Sequence, residues 1–441
     1  MKLINPKSII LLAITICLVV TTNIHWGKNK WQNILEADAK GYYAYLPAVF
    51  IYHDLNFGFY DSIEKKKYFN DFLIYDYRSH APNGSTIDKY YCGTAIAQLP
   101  FFLTAHALSA VSGNDPDGYS RLYLLLITLA AIFYLFLGLW YVNKLLELYS
   151  ISSRNRSFSL VAMLFGTNLY FYSVGEMGMS HVYSFAFIAL FCFYAKRYLL
   201  QQRSKDLLVI FALTGMIFLI RPVNVLILLS IPFLAGSLHT LRNGFASLKR
   251  NIKALIGGIF VLFAIICIQA VIYKISSGDW WIYSYGEERF HFNDPHFIDI
   301  LFSYKKGLFL YTPLYLLALG GLYVSFRKNK FEFFSFFFFF VMLTYVLSSW
   351  WNWWYGGSFS SRVYVEYLPL FTVMLAVLLQ NAVTKPARII TVSMVVLLIA
   401  LCQFQTYQYR YYLIHWENMT KEKYRNVFLS MDKSKVTTGN N

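Results

Sequence analysis

The chain has 441 residues, of which 57% are hydrophobic and 14% are charged, whereas soluble domains average about 25% charged residues. This shortage of charge excludes a protein surrounded by water on all sides. The formal net charge of +16 does not indicate nucleic-acid binding, because Lys and Arg occur in short clusters between apolar runs, where they set membrane topology.

Apolar runs close to the roughly 20 residues that cross a bilayer recur along the chain. The first follows Lys2 and Lys7 and is predicted to be an uncleaved span, because no small-residue cleavage motif comes after it. The predicted spans cover residues 8–25, 120–143, 158–174, 180–200, 207–220, 222–237, 254–273, 307–325, 333–349, 367–381 and 389–408. The predicted fold class is therefore all-α: a polytopic transmembrane helical bundle of about eleven spans, with interfacial helices in the first outer loop.

The segment 93–112 is apolar enough to span the membrane, yet it contains Gln98, Pro100 and His106. If it does not cross, five basic loops all face the cytoplasm; if it does, all five lie outside, against the positive-inside rule. Their cations are Lys144, Arg154, Arg156, Lys196, Arg197, Arg203, Lys205, Arg242, Lys249, Arg250, Lys253, Arg327, Lys328, Lys330, Lys385 and Arg388. The segment is therefore predicted to lie along the outer interface, or to dip into it without crossing.

The domain organisation follows from this topology. Residues 1–409 are predicted to form one transmembrane catalytic domain, and residues 410–441 a polar, basic tail that is partly disordered. The outer loops at 26–119 and 274–306 are longer than a connection needs, and long loops often carry function. The five cysteines are scattered without a C-x-x-C pair, which indicates neither a metal site nor a disulfide framework.

Candidate catalytic residues follow the first span. Glu36 and Asp38 lie two residues apart, just before an aromatic patch that begins with Tyr42. Two such acids accept a proton or hold a divalent cation through oxygen ligands. The alternative is structural: an acid at the start of an interfacial helix is favoured by the positive end of the helix dipole.

Further candidates are polar residues beside apolar runs. His181 and Arg221 each lie at a predicted outer turn, where an ionisable group near bilayer depth usually faces a cavity. The alternatives are an interhelical hydrogen-bonded histidine for His181 and an arginine that snorkels to the outer interface for Arg221. Arg362 and Glu366 stand four residues apart at the head of a span, and their alternative is to pair with each other.

The second long outer loop adds Arg289, Lys305 and Lys306 among Trp and Tyr residues. The aromatic run from Trp350 to Tyr355 precedes Arg362, and stacked aromatic rings beside cations suit a sugar next to a phosphate. An aromatic belt at the membrane interface explains the Trp run equally well. Together, all these polar residues face the same outer compartment.

Several sequence blocks resemble the GT-C membrane glycosyltransferases, the class that includes protein mannosyltransferases and lipid A aminoarabinose transferases. The similarity is greatest to bacterial members described only as integral-membrane glycosyltransferases. The blocks are Asp38–Pro47, Gly93–Phe102, Met179–Tyr183, Arg221–Asn224, Gly307–Pro313 and Trp354–Phe359, and they extend from about residue 30 to 370.

The resemblance implies a polyprenyl-phosphate sugar as donor, an acidic general base at Asp38, and basic residues on the phosphate. Arg221, Arg362 and Arg289 are the candidates for that role, with Lys305 and Lys306 after them. Many relatives have two adjacent acids where this chain has Glu36-Ala-Asp38. The role of Glu36 and the use of a divalent cation therefore stay open, and no cofactor is otherwise predicted.

The predicted function is an inverting transfer of a sugar from a polyprenyl phosphate to the hydroxyl of a glycan, lipid or protein acceptor. The predicted location is a bacterial inner membrane, with the active site facing the periplasm or exterior. Two alternatives remain: a transporter or flippase of a lipid-linked glycan, and a surface-polysaccharide polymerase or ligase. The sugar, the acceptor and the oligomeric state do not follow from the sequence.

Overall fold

The computed structural model describes residues 5–28, 30–68 and 75–436, which are mostly helical. The α-helices are α1 (Pro6–His25), α2 (Asp38–Pro47), α3 (Gly93–Ser112), α4 (Arg121–Leu148), α5 (Ser153–Phe165), α6 (Leu169–Val174), α7 (His181–Gln201), α8 (Ser204–Ile220), α9 (Ile231–Ala235), α10 (Leu238–Arg250), α11 (Ile252–Ser277), α12 (Phe297–Phe302), α13 (Leu308–Tyr311), α14 (Leu314–Lys328), α15 (Lys330–Ser348), α16 (Leu368–Asn381), α17 (Lys385–Arg410) and α18 (Lys421–Val427).

Shorter elements connect these helices. Tight 3-10 turns cover Lys30–Ile34, Pro222–Ser230, Arg362–Tyr367 and Lys433–Lys435, and wider π-helical turns cover Ala48–Tyr52 and Tyr60–Tyr68. A two-stranded antiparallel sheet in the first outer loop pairs β1 (Arg78–His80) with β2 (Thr86–Asp88).

In the described part of the chain, eight helices are long and apolar enough to cross a membrane, or up to nine if the bent pair 222–235 and 238–250 is one span. The eight are α1, α3, α4, α7, α11, α15, the segment Arg362–Asn381 and α17. The predicted count of about eleven is therefore not confirmed. Residues 207–220 belong to α8, which falls just short of the length counted as a span. The predicted spans at 158–174, 222–237 and 307–325 are helices interrupted by turns.

The centre of the bundle consists of α7, α4 and the segment 362–381. In the apolar windows of α7 and 362–381, 78% and 83% of the residues are buried, against 11% for α11 and α17. Small residues permit the close approach, because a Cβ added at Gly138 of α4 would lie 2.3 Å from the ring of Phe185 in α7. The peripheral helices expose apolar side chains such as Phe260 and Leu397, as expected for contact with lipid.

The first outer loop has an apolar cluster of its own, rich in tyrosine. Tyr77 and Tyr119 donate hydrogen bonds of 2.5 and 2.6 Å to one oxygen of the fully buried Glu64 carboxyl group. Burial is the largest influence on this group and raises the pKa of Glu64 to about 7. The Tyr43 hydroxyl donates to the carbonyl of Gly118, which fastens α2 to the end of the loop. The loop therefore holds α2, and with it Asp38, in a defined position.

Helix α3 packs beside α4 in the opposite direction. The Ala97 carbonyl accepts a hydrogen bond from Tyr134, and the His106 ring bonds to the hydroxyl of Tyr123. These contacts place α3 alongside the first half of α4 rather than flat across its end. That α3 does not cross the bilayer stays a prediction.

The C-terminal segment packs against the bundle as far as the structure describes it, and its separation from the rest of the chain as a partly disordered tail stays a prediction. Gln408 donates through Nε2 to the carbonyls of Val427 and Ser430, at 2.5 and 2.9 Å. Tyr424 packs on Tyr311 and accepts a 2.7 Å hydrogen bond from Gln405. Apolar residues spaced among the polar ones give the segment a buried face, so residues 411–436 return to the outer end of the bundle. Residues 437–441 lie outside the described part.

Gly93 provides a test of how α3 is positioned. A Cβ at this residue would lie 2.3 Å from the backbone nitrogen of Ile220, and neither backbone can yield cheaply. Gly93→Ala should therefore lower the free energy of unfolding by about 1–3 kcal/mol, measured as a lower Tm in detergent. Gly320→Ala is the matched control, because its nearest neighbour is a flexible Leu378 side chain at 3.3 Å. An equal Tm for both variants would contradict this packing.

Candidate active site

A cavity of about 1170 Å³ lies between the first outer loop, the loop after α6, the break between α8 and the 222–230 turn, and the C-terminal segment. Five of the predicted site residues line it: Glu36, Asp38, Tyr42, Arg221 and Arg362. The other five, His181, Arg289, Lys305, Lys306 and Glu366, do not belong to its lining.

Asp38 occupies the first position of α2. The preceding residue, Ala37, has a φ of +48°, a conformation that costs energy for a residue with a Cβ. This turn ends the segment that leaves the first span and starts α2 at Asp38. Glu36, on the far side of the turn, lines the same cavity.

The Asp38 carboxylate is held by two donors. Arg362 donates from Nη2 to Oδ2 at 2.7 Å, and the Tyr90 hydroxyl donates to Oδ1 at 2.8 Å. The hydroxyl of Tyr75 lies 2.5 Å from that of Tyr90 and extends the network. Burial acts to raise the pKa of Asp38, but the charge of Arg362 and these hydrogen bonds outweigh it, so the pKa lies below its usual value. Asp38 is therefore ionised at neutral pH.

A second ion pair lies deeper. Arg221 donates from Nη1 to the fully buried Glu366 carboxylate at 3.1 Å, and His181 Nδ1 lies 3.0 Å from the same oxygen. Arg221 closes the end of α8 in an extended conformation, with φ −154° and ψ 110°. Pro222 imposes that conformation on the residue before it and so interrupts the helix where the cation is needed. Snorkelling does not describe Arg221, since its guanidinium is bonded inside the protein.

The alternative in which Arg362 and Glu366 pair with each other is wrong. They belong to the 3-10 turn Arg362–Tyr367, in which residues four apart point in different directions because one turn takes about three residues. Arg362 consequently reaches Asp38 and Glu366 reaches Arg221.

The three cations of the second long outer loop have other partners. The Lys306 ammonium is buried and donates to the carbonyls of Ser358 and Trp416. Lys305 lies over the ring of Trp354, 3.2 Å from its centroid. The backbone carbonyl of Arg289 accepts from Trp351 at 3.0 Å. The contacts of Lys305 and Lys306 join loops around the cavity, and Arg289, Lys305 and Lys306 do not belong to its lining.

Several cavity residues were not predicted from the sequence. Tyr90 and Tyr75 hold Asp38, and Lys89 forms a 2.6 Å ion pair with Glu288. Tyrosine is so frequent in this chain, at 36 residues, that no local signal distinguishes these from structural ones. Only the fold of the first outer loop brings residues 75 to 90 against α2.

Glu176 is a third acid at the cavity, on the loop after α6. One of its carboxyl oxygens is buried without a hydrogen-bond partner among the described residues. The loop packs closely on the start of α2 and on the residues before it, because a Cβ at Gly178 would lie 2.7 Å from the Cβ of Ala39 and 3.0 Å from the carbonyl oxygen of Ile34. Burial raises the pKa of Glu176 to about 8, so this group is protonated at neutral pH, and burial also raises the pKa of Glu36. Asp38 is thus the most acidic of the three.

The described residues form no ready-made site for a metal ion. In the ranges that the structure describes, no group of three or more His, Cys, Asp or Glu side chains is arranged to hold a metal ion. The oxygens of Asp38 are also bonded to Arg362, whose positive charge opposes a nearby cation.

Comparisons with known proteins leave the family undecided. No protein-family model matches the chain, and no curated protein matches it. Among solved structures, the archaeal oligosaccharyltransferase AglB from Archaeoglobus fulgidus, in complex with an inhibitory peptide and a dolichol-phosphate, matches with a TM-score of 0.48 and 10% identity. The match covers 98% of this chain but only 58% of that protein. The function proposed below therefore rests on the geometry of the cavity.

The raised pKa of Glu176 has a consequence for stability. The folded protein binds this proton more tightly than the unfolded chain, whose glutamates titrate near pH 4.5, so stability should fall as the pH rises from about 5 to 8. Glu176→Gln should remove this loss and raise the Tm by an amount that grows towards pH 8. Glu287→Gln, at an exposed position, is the control. A Tm difference that is the same at every pH would contradict the assignment.

Proposed function

We propose that the protein transfers a sugar from a polyprenyl phosphate to a hydroxyl group of an acceptor, at the outer face of the membrane. The observation that carries this proposal is the ionised Asp38 carboxylate, held 2.7 Å from Arg362 in a cavity that Arg221 also lines. Glycosyl transfer from a phosphate needs a base for the attacking hydroxyl and fixed cations for the departing phosphate. The cavity provides both in one place.

In the proposed reaction the acceptor oxygen attacks the anomeric carbon as the bond from that carbon to the phosphate oxygen breaks. Asp38 accepts the proton of the acceptor hydroxyl. The electron pair of the broken bond leaves with the lipid phosphate, whose growing negative charge is stabilised by a guanidinium group. A single displacement of this kind inverts the configuration at the sugar, as when one carboxylate serves as base opposite the leaving group.

Asp38 is able to act as this base although it is already bonded. A carboxylate offers about four lone-pair sites, and Arg362 and Tyr90 occupy one on each oxygen. The remaining sites accept a hydrogen bond from an acceptor hydroxyl. Arg362 lowers the intrinsic basicity of Asp38, but it fixes the direction of the carboxylate and keeps it unprotonated.

Arg221 is the proposed phosphate ligand, and Glu366 positions it. The pair brings a guanidinium to the cavity wall at a break in the helical backbone, where cations are otherwise costly. Because Glu366 uses one donor of Arg221, the other guanidinium donors remain for phosphate oxygens. The 222–230 turn beside it is apolar, which suits a lipid-linked substrate entering from the membrane.

Asp38→Asn tests the base. It should lower transfer of radiolabelled sugar from polyprenyl phosphate, in reconstituted vesicles, by about 10²–10⁴-fold. Asp61→Asn is the matched control, since Asp61 forms an exposed 3.2 Å pair with Arg78 in the same outer loop. It should retain full activity. If Asp38→Asn leaves transport of a lipid-linked glycan intact and no sugar is transferred by either protein, the flippase alternative is correct.

The role of Arg221 is tested with a single variant that removes its charge and a double variant that also removes the charge of Glu366. Arg221→Gln should lower both transfer and Tm, because it leaves Glu366 buried without its cation. The double variant Arg221→Gln with Glu366→Gln should recover the Tm but remain at least about 10²-fold less active than wild type. Recovery of activity together with Tm would show that the pair is only structural.

A further inference from the structure

Helix α10 carries a narrow apolar stripe, part of which is exposed. At 100° per residue, Leu238, Leu241, Phe245 and Leu248 fall within one arc of about 80°. Leu238 and Phe245 are 46% and 58% exposed, although Phe245 has no polar atom to interact with water. Ile252, the first residue of α11, continues the stripe and is 48% exposed.

The side of α10 that packs on the bundle is made of small residues. A Cβ at Gly244 would lie 2.6 Å from Leu199 of α7, and Ser247 bonds to the Tyr198 hydroxyl at 2.7 Å. This contact fixes the rotation of the helix. The apolar stripe lies beside this contact: Leu241 packs against the core of the bundle and Leu248 is half-buried, whereas Leu238 and Phe245 are exposed.

Cations border the stripe on the side opposite the bundle contact. Arg242 and Lys249 fall within about 60° of it, and Lys253 follows at the start of α11. Residues 238–253 contain no Asp or Glu. Ser204 donates to Asn251 at 2.6 Å, which brings the exposed Arg203 and Lys205 to the same end of α10.

The nearest acid in that turn is not available to neutralise these cations. Asp206 is buried and accepts a 2.8 Å hydrogen bond from Arg197. The surface of α10 is thus apolar along one line and uniformly basic along the next, a pattern typical of helices that lie in the headgroup region of anionic membranes.

The bend before α10 and the length of α10 agree with a position in the headgroup region. The axis turns by 119° between the segment 222–235 and α10. Helix α10 has 13 residues and so extends only about 20 Å, too little to cross the hydrocarbon core. The basic loops of this edge are those predicted to face the cytoplasm.

We propose that α10 lies in the plane of the cytoplasmic leaflet and binds anionic phospholipid headgroups through Arg242, Lys249 and Lys253. The exposed side chains of Leu238, Phe245 and Ile252 enter the acyl region, and the cations remain at the level of the phosphates. This binding is independent of the sugar-transfer reaction, which lies at the other end of the bundle.

The depth of α10 is measured with a fluorophore on Phe245→Cys in a Cys267→Ser background, since the other cysteines are buried. In nanodiscs, phospholipids brominated near the headgroup end of their chains should quench it. The matched label on Asn243→Cys, exposed on the opposite side of α10, should be quenched mainly by soluble iodide. Iodide quenching at residue 245 overturns the proposal, and so does shielding from both quenchers, which would indicate a protein partner instead.

Selectivity for anionic lipid is measured by binding of fluorescent phosphatidylglycerol and phosphatidylcholine to the full-length protein in detergent. Wild type should prefer phosphatidylglycerol. The variant with Arg242, Lys249 and Lys253 changed to Gln should bind it at least tenfold more weakly, since each cation near an anionic surface contributes roughly fivefold. Changing Arg327, Lys328 and Lys330 to Gln removes equal charge from another inner loop and should have little effect. Equal losses in both triple variants, or no lipid preference in wild type, overturn the proposal.

Discussion

The cavity depends on two guanidinium groups, one buried and one half-buried, whose carboxylate partners come from distant parts of the chain. Arg362 reaches Asp38, 324 positions away, and Arg221 reaches Glu366, 145 positions away. Breaking such a pair inside a low-dielectric bundle leaves a charge uncompensated, which is strongly destabilising. The first outer loop, the centre of the bundle and the 222–230 turn are therefore tied to one another through these two contacts.

A buried ion pair is by itself weak evidence of stability, because apolar residues of similar volume often stabilise as well or better. The free energy lost by burying the two charges is easier to understand where the charges serve a function. Here the backbone is also distorted at both pairs: Ala37 has a positive φ beside Asp38, and Pro222 ends α8 beside Arg221. Distortion and buried charge coincide at the cavity, as expected for a site organised for function.

The two ends of the bundle differ in chemistry. At the predicted outer end, tyrosines and carboxyl groups converge on the cavity, and the C-terminal segment contributes Trp416 and Glu417 to its wall. At the predicted inner end, cations and apolar side chains remain exposed on α10. The first arrangement suits the proposed sugar transfer, whereas the second suits contact with a charged lipid surface.

Composition and charge distribution by themselves established a helical membrane protein, and they selected Asp38, Arg221 and Arg362, because polar residues beside apolar runs are costly wherever they occur. They did not determine the number of spans, since hydropathy cannot distinguish a continuous helix from one interrupted at Arg221. They left open whether Arg362 and Glu366 pair with each other. Only tertiary structure decides which cation faces which acid, because the partners lie hundreds of residues apart and the local 3-10 geometry directs each side chain. The same reason applies to Tyr90 and Tyr75: the bond of Tyr90 to Asp38, and of Tyr75 to Tyr90, arises from the folding of the first outer loop and leaves no local pattern in the sequence.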